Sequence, residues 1–161
     1  MPRWLTEDEQ RAWRALLQMS GRLDAHLNRE LQDSSGLSKV DYDVLVPLSE
    51  APEGRLRVFQ LSQALCWEQS RLSHHLGRMQ KRGLVRREDC ASDRRGAVVV
   101  LTAVGREAIE RAAPGHAETV RALVFDGTTA AQVAAMTSVA EQVLRRLDDA
   151  QRRTLQPEAP A

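Results

Sequence analysis

LSQALCWEQSRLSHHLGRMQKRGLVRREDCASDRRGAVVVLT, residues 61–102, is the stretch whose reading decides the fold. Two short helical patterns meet at Cys66-Trp67. Gly83 follows the second, then a strand-like run from Leu84 to Glu88, a charged turn, and a second run from Ala97 to Leu101 rich in Val. Gly past a helix end and β-branched residues in a short run are the usual marks of a helix stop and a strand. The order helix, turn, helix, β-hairpin predicts a winged helix-turn-helix lobe.

The second helix is expected over about 68–82. At about 100° per residue, Leu72, Leu76 and Met79 fall on one side, which is the buried one. Opposite them lie Ser70, His74, Gly77 and Lys81, flanked by Arg71, Ser73 and Arg78. His75 falls nearer the buried edge and reads as a packed or backbone-bonded histidine. Short polar side chains let a helix approach a DNA major groove, and Arg, His and Ser supply donors for base edges or phosphates. Gly77 costs about 1 kcal/mol of helix stability relative to Ala. Close approach to DNA or to a neighbouring helix would account for it. The bland alternative is a solvated face that binds nothing.

The hairpin tip, Asp89 to Gly96, holds the adjacent Arg94 and Arg95, with Asp93 placed to brace one of them. Arginines on a projecting loop suit a narrow minor groove; the alternative is an ordinary polar turn. Charge partition favours the first reading. Between Trp67 and Gly96 stand eight basic residues (Arg71, Arg78, Lys81, Arg82, Arg86, Arg87, Arg94 and Arg95) against four acidic ones (Glu68, Glu88, Asp89 and Asp93). This window nets +4 in a chain whose formal charge is only +1, so the remainder is acidic. Positive charge sits where a phosphate footprint would need it.

The flanks read as scaffold. Thr6 and Glu9 form a capping-box pattern that opens a long helix. Its apolar stripe of Trp13, Leu16, Leu17, Leu23, Leu27 and Leu31 runs to the turn cluster Asp33-Ser34-Ser35-Gly36. Ser38 and Asp41 start a second helix, with Tyr42, Leu45, Val46 and Leu48 inward and a bend expected at Pro47. Ala51 to Gly54 is a loop, Leu56 a short strand, and Val58 to Leu65 a third helix with Val58, Leu61, Ala64 and Leu65 inward. Thr102 caps a fifth helix with Val104, Ala108, Ile109 and Ala112 inward, to be kinked or interrupted at Pro114-Gly115. Val120, Leu123, Val124 and Phe125 resume it before Asp126-Gly127. Thr129 and Gln132 open the last helix, striped by Val133, Met136, Ala140, Val143, Leu144 and Leu147.

Amphipathic helices at both chain ends need covering surfaces. Packing them together and against a second copy gives a two-fold dimer. Its reading helices would then lie about one DNA turn apart, ~34 Å, suited to a palindromic site. The fold class expected is mainly α with a small β-hairpin wing. Residues 1–36 form an N-terminal dimerisation helix, 37–102 the DNA-binding lobe (wing about 84–101), 103–153 C-terminal dimerisation helices and 154–161 a disordered tail.

With 161 residues and 42% hydrophobic but only 4% aromatic content, the core must be Leu, Val and Ala. Two Cys are too few for a disulfide scaffold and fit a reducing compartment. The N-terminus lacks an apolar signal core, and no apolar run approaches the ~20 residues of a membrane helix, so a cytoplasmic protein with no membrane partner is expected.

Together, Ser70-Arg71-Leu72-Ser73, the helix end Arg82-Gly83-Leu84-Val85-Arg86-Arg87, the wing tip Asp93-Arg94-Arg95, and Leu101-Thr102 followed by Gly105 resemble the MarR (multiple antibiotic resistance regulator) family of bacterial transcription factors. The resemblance spans roughly Thr6 to Arg153. It implies a winged-helix homodimer that binds double-stranded DNA at a palindromic operator and represses nearby genes or its own. Release would come from a small-molecule effector or an oxidant. By position, Ser70, Arg71, Ser73, His74 and Arg78 would lie on the recognition helix, Arg94 and Arg95 on the wing, and Asp93 would hold a wing arginine. The family's ligand cleft lies where the dimerisation helices meet the DNA-binding lobe.

Rival readings rest on a few residues. Cys66 and Cys90 invite a thiol switch. The family's peroxide sensors, however, carry their reactive Cys near the start of the first helix, where this chain has none, so Cys66 reads as a small buried residue and Cys90 as an exposed one. His26 and His116 could meet through helix packing in a ligand or zinc site, yet no further ligands have convincing spacing. No cofactor is expected. Enzyme signatures such as G-x-S-x-G, a phosphate loop or a zinc-protease motif are absent. A dimeric module that does not bind DNA would require loss of the basic residues, and they are present.

Overall fold

The computed structural model describes residues 2–88 and 97–155. Its elements in chain order are α1 (Glu7–Ser35), α2 (Lys39–Glu50), a 3-10 turn (Pro52–Gly54), β1 (Arg55–Arg57), α3 (Val58–Leu65), α4 (Gln69–Lys81), β2 (Val85–Glu88), β3 (Val98–Leu101), α5 (Ala103–Val120), a π-helical turn (Arg121–Phe125) and α6 (Ala130–Leu155). The chain divides into two compact units, Met1–Thr119 and Val120–Ala161.

The helix starts follow from local chemistry. Thr6 and Glu9 exchange hydrogen bonds with each other's backbone N–H at the head of α1, and Ser38 and Asp41 do the same for α2. Such boxes satisfy donors that the first turn leaves unpaired. Gly36 closes α1 in the left-handed region, at φ 71°. Thr102 Oγ1 accepts from Gly105 N–H at 3.0 Å and donates to the carbonyls of Gly83 and Leu84, tying the start of α5 to the end of α4.

The core of the first unit forms where α1, α2, α3, α4 and α5 cover the sheet. Leu31, Leu37, Leu45, Leu48, Leu61, Leu72, Leu76, Met79 and Val99 are fully buried. Each contributes roughly 1.5–3 kcal/mol of transfer free energy relative to exposure. β2 and β3 pair as the expected antiparallel strands, and the short strand expected at Leu56 joins them as β1, so that β3 lies between β1 and β2, antiparallel to both. Arg55 of β1 and Arg86 of β2 each pair with Glu88.

Several expectations are corrected. Of the kink or interruption expected at Pro114, the interruption does not occur: α5 runs on to Val120 with the proline inside it. Both Pro114 and Glu110, whose carbonyl it leaves unpaired, are exposed, so water can satisfy that oxygen. The break comes later, at the π-helical turn. Val104 is exposed rather than inward. The inward face is set by Gly105, Ala108, Ile109 and Ala112, and Gly105 lies so close to β2 that an added Cβ would stand 2.0 Å from the Leu84 carbonyl oxygen. Ala64 is also exposed, because α3 buries Leu61 and Ser62 instead. On α2, Val44 joins Leu45 and Leu48 in the core, while Tyr42 and Val46 are half-buried.

Only the C-terminal end of the α1 stripe is covered within its unit. Leu27 and Leu31 are buried, whereas Trp13, Leu16 and Leu17 remain about half exposed. In the second unit, Arg121 and Asp126 close the π-helical turn with an ion pair at 3.1 Å, and Thr129 and Gln132 cap α6. The α6 residues Met136, Val139, Val143, Leu144 and Leu147 are all exposed. Among the described residues no helix is long and apolar enough to cross a membrane. The residues after Leu155, and with them most of the tail expected to be disordered, lie outside the described ones.

Candidate nucleic-acid interface

α4 begins one residue after Glu68 and ends one before Arg82. Leu72, Leu76 and Met79 bury its underside completely. On the other side Ser70, Arg71, His74, Arg78 and Lys81 are exposed, and Ser73 and Gly77 are half-buried. The sorting predicted from helical periodicity is therefore the one observed, and four of the five predicted site residues on this helix are open to solvent. An added Cβ at Gly77 would meet nothing within 4 Å, so no packed neighbour within the described chain requires glycine there.

The turn before α4 is held by an unusual backbone. Cys66 caps α3 in the left-handed region at φ 53°, a conformation uncommon outside glycine, and Trp67 N–H returns to the Ser62 carbonyl at 3.0 Å. This corrects the buried reading of Cys66, which is exposed. Its Sγ lies 3.7 Å from the Gln63 carbonyl oxygen, at the exposed end of α3. Trp67 lies half-buried beside α4, with the Arg71 guanidinium 4.5 Å over its ring. The fit is that of a cation–π contact. Arg87 of β2 reaches back to donate to the Ser73 carbonyl at 3.0 Å, joining sheet and helix. Asp93, Arg94, Arg95 and Cys90 lie outside the described residues.

Beneath α4 is a polar cluster whose partners periodicity could not reveal. Asp41, 2% exposed, places Oδ2 2.6 Å from Arg82 Nη1 and 2.9 Å from the Ser38 N–H. Its Oδ1 lies 3.1 Å from Nε2 of His75, which is itself 5% exposed. That contact is at ion-pair distance but off the angle of a good hydrogen bond. Arg82 also donates to the Gly36 carbonyl at 2.7 Å, reaching the end of α1. Burial opposes the Asp41 charge, yet the nearby His75 Nε2 and the bonds from Ser38 and Arg82 outweigh it and hold the carboxyl well below its ordinary range. His75 is thus packed, as its position suggested, and its polar neighbours are side chains rather than backbone. Its Nδ1 stands 2.8 Å from Arg78 Nη2.

A second polar group lies where α1, α2 and α5 meet. The rings of Tyr42 and His116 stand 4.3 Å apart. Burial pushes His116 below the ordinary imidazole range, with Glu30 and Asp43 opposing and Lys39 adding to the shift. His116 Nδ1 and Glu30 Oε2 are buried without a hydrogen-bond partner among the described residues. His26 is exposed, and no group of three or more His, Cys, Asp or Glu suited to a metal is found among the described residues.

A family model described as MarR family matches residues 35–96. The transcriptional regulator HosA of Escherichia coli is 34% identical over 104 residues, covering 65% of this chain and 73% of HosA. The crystal structure of Sco3205, a MarR family transcriptional regulator from Streptomyces coelicolor in complex with DNA, is similar at 41% identity and a TM-score of 0.85, covering 98% of this chain and 94% of that one. The chain belongs to the MarR family. AbsC, a MarR family regulator from the same organism, is similar at 38% identity and a TM-score of 0.87, over 92% of this chain and 99% of AbsC. These relatives are transcriptional regulators, so this MarR-family chain is a transcriptional regulator and not an enzyme.

Proposed function

We propose that this MarR-family chain is a dimeric, sequence-specific DNA-binding repressor of nearby genes or its own, released by a small-molecule effector. The observation that carries the DNA reading is α4: an apolar underside locked into the core and an exposed face of Ser70, Arg71, His74 and Arg78. Sco3205, 41% identical, is described in complex with DNA. Ser73 would bond at the helix edge. Arg94 and Arg95 would add minor-groove or phosphate contacts from the wing, braced by Asp93.

The dimer reading rests on uncovered apolar faces. Trp13, Leu16 and Leu17 on α1, and Val139, Val143, Leu144 and Leu147 on α6, are each roughly half exposed. Soluble monomers rarely leave contiguous patches of this kind open. Residues 1–36 and 103–153 would then serve as dimerisation elements around the lobe at 37–102, and the palindromic operator follows from the two-fold axis. The effector reading is supported by the unpartnered polar atoms of Glu30 and His116 beside Tyr42, which a ligand could satisfy. Such a regulator works where the DNA is, in the cytoplasm. The exposed Cys66 thiol favours a thiol-responsive sensor as the second reading.

A mobility-shift assay with the region upstream of the protein's own gene tests this. Salt-sensitive binding in the nanomolar range to a palindromic segment is expected. Binding abolished by peroxide and restored by thiol would favour the second reading, and no binding to any palindrome would refute both.

A further inference from the structure

A histidine buried on the underside of α4 needs a reason. Leu72, Leu76 and Met79 already fill that side, and a buried polar ring is costly unless its nitrogens are paired. Both nitrogens of His75 face charged groups: Nδ1 is 2.8 Å from Arg78 Nη2, and Nε2 is 3.1 Å from Asp41 Oδ1. A guanidinium only donates. His75 Nδ1 must therefore accept, so the ring proton sits on Nε2, towards the carboxylate. Asp41 is itself fixed by the Ser38 N–H and by Arg82. The Trp67 ring stands edge-on to the imidazole at 6.0 Å between centroids and closes its other side. The result is a row of polar groups from the head of α2 to the exposed guanidinium of Arg78, with carboxylate and imidazole in electrostatic contact and imidazole and guanidinium hydrogen-bonded.

We propose that His75 is a positioning residue, its Nδ1 accepting from Arg78 and its ring proton on Nε2 facing the Asp41 carboxylate, that presets the Arg78 guanidinium and so determines the base-pair specificity of α4. This rests on the DNA-binding reading above. One donor of Arg78 is used by the imidazole, and the rest of the fork is left for an outside acceptor. An arginine already ordered by the protein loses less rotamer freedom on binding. It also meets its acceptor in one geometry, which separates a matched base pair from a mismatched one.

The test is a double-mutant cycle read as discrimination, the ratio of affinities for the operator and for a scrambled duplex of equal length. His75→Phe keeps a flat ring but removes the acceptor, and is expected to lower discrimination by about tenfold while changing affinity for the scrambled duplex little. His75→Gln, which retains an acceptor and a donor, should keep most of the discrimination. In an Arg78→Ala background, His75→Phe should cause no further loss. Additive losses, or unchanged discrimination in His75→Phe, would overturn the proposal and leave the DNA-binding reading intact. Nitrogen-15 NMR of the free protein supplies a readout that needs neither DNA nor a folded His75→Phe. The Nε2–H tautomer is expected, and an Nδ1–H tautomer would overturn the relay. If the wild type binds no duplex, the functional reading fails and the proposal fails with it, whatever the tautomer.

Discussion

The carboxylate of Asp41 and the guanidinium of Arg82 meet at 2.6 Å across 41 positions of sequence, and the same guanidinium holds the Gly36 carbonyl at 2.7 Å. One ion pair thus joins the head of α2 and the end of α4 to the cap of α1. The carboxylate is nearly fully buried, whereas Arg82 is half open to solvent.

That arrangement gives a signed pH dependence. The Asp41 carboxyl is held below its unfolded value, because the nearby His75 and the bonds from Ser38 and Arg82 outweigh the cost of burial. In the unfolded chain it titrates near about pH 3.9. Its stabilising contribution is complete above that pH and is lost progressively as pH falls below it, since only the unfolded state then takes up the proton. Thermal melts of wild type and Asp41→Asn should differ most at neutral pH and converge in acid. A gap that stays constant down to pH 3 would contradict this assignment.

Gly105 should be the most sensitive glycine of the lobe. A Cβ there would lie 2.0 Å from the Leu84 carbonyl oxygen and 2.8 Å from Leu101 Cδ1. Backbone cannot yield as a flexible side chain does. Gly105→Ala is expected to cost about 3 kcal/mol, the upper end of ordinary overpacking, measured by urea denaturation. A loss below about 1 kcal/mol would show that α5 shifts freely.

Gly77 should behave in the opposite way. No atom lies within 4 Å of its added Cβ, so Gly77→Ala should stabilise the helix by up to about 1 kcal/mol. If this face meets DNA closely, operator affinity should fall in the same variant. Stability and affinity rising together would remove Gly77 from the interface.

A charge on the uncovered stripes should separate the copies. Leu17→Glu on α1, or Val143→Glu on α6, replaces a half-exposed apolar side chain whose partner is proposed to be a second chain. Sedimentation velocity should show a dimer for the wild type and monomer for the variants. A wild-type monomer at micromolar concentration would refute the dimer and with it the palindrome.

Most of the lobe was legible because its signals are local. The capping boxes at Thr6 and Thr129, the cap at Ser38, the bounds of α3 and the sorting of α4 depend on residues within one or two turns. What was missed depends on distance in sequence. Nothing near His75 announces that its partner is Asp41, and an exposed Cys66 follows from a left-handed backbone that few sequences signal. Pro114 misled because a proline's effect on a helix depends on whether water can reach the carbonyl it frees. Val104 misled because the direction of α5 is set by the contact of Gly105 with Leu84. Of the site residues, Ser70, Arg71, Ser73, His74 and Arg78 could be located by periodicity; what they bind could not.

Fluorescence anisotropy with a labelled palindromic duplex from the upstream region tests the central claim, that the exposed face of α4 reads DNA. Wild type and His74→Ala are titrated against the palindrome and a scrambled duplex at two salt concentrations. The account predicts nanomolar, salt-sensitive binding of the palindrome by wild type, weakened about 5- to 150-fold by His74→Ala, the range for one base contact, with scrambled-duplex affinity nearly unchanged. Equal wild-type affinity for both duplexes, or a His74→Ala variant that discriminates as well as wild type, would contradict it.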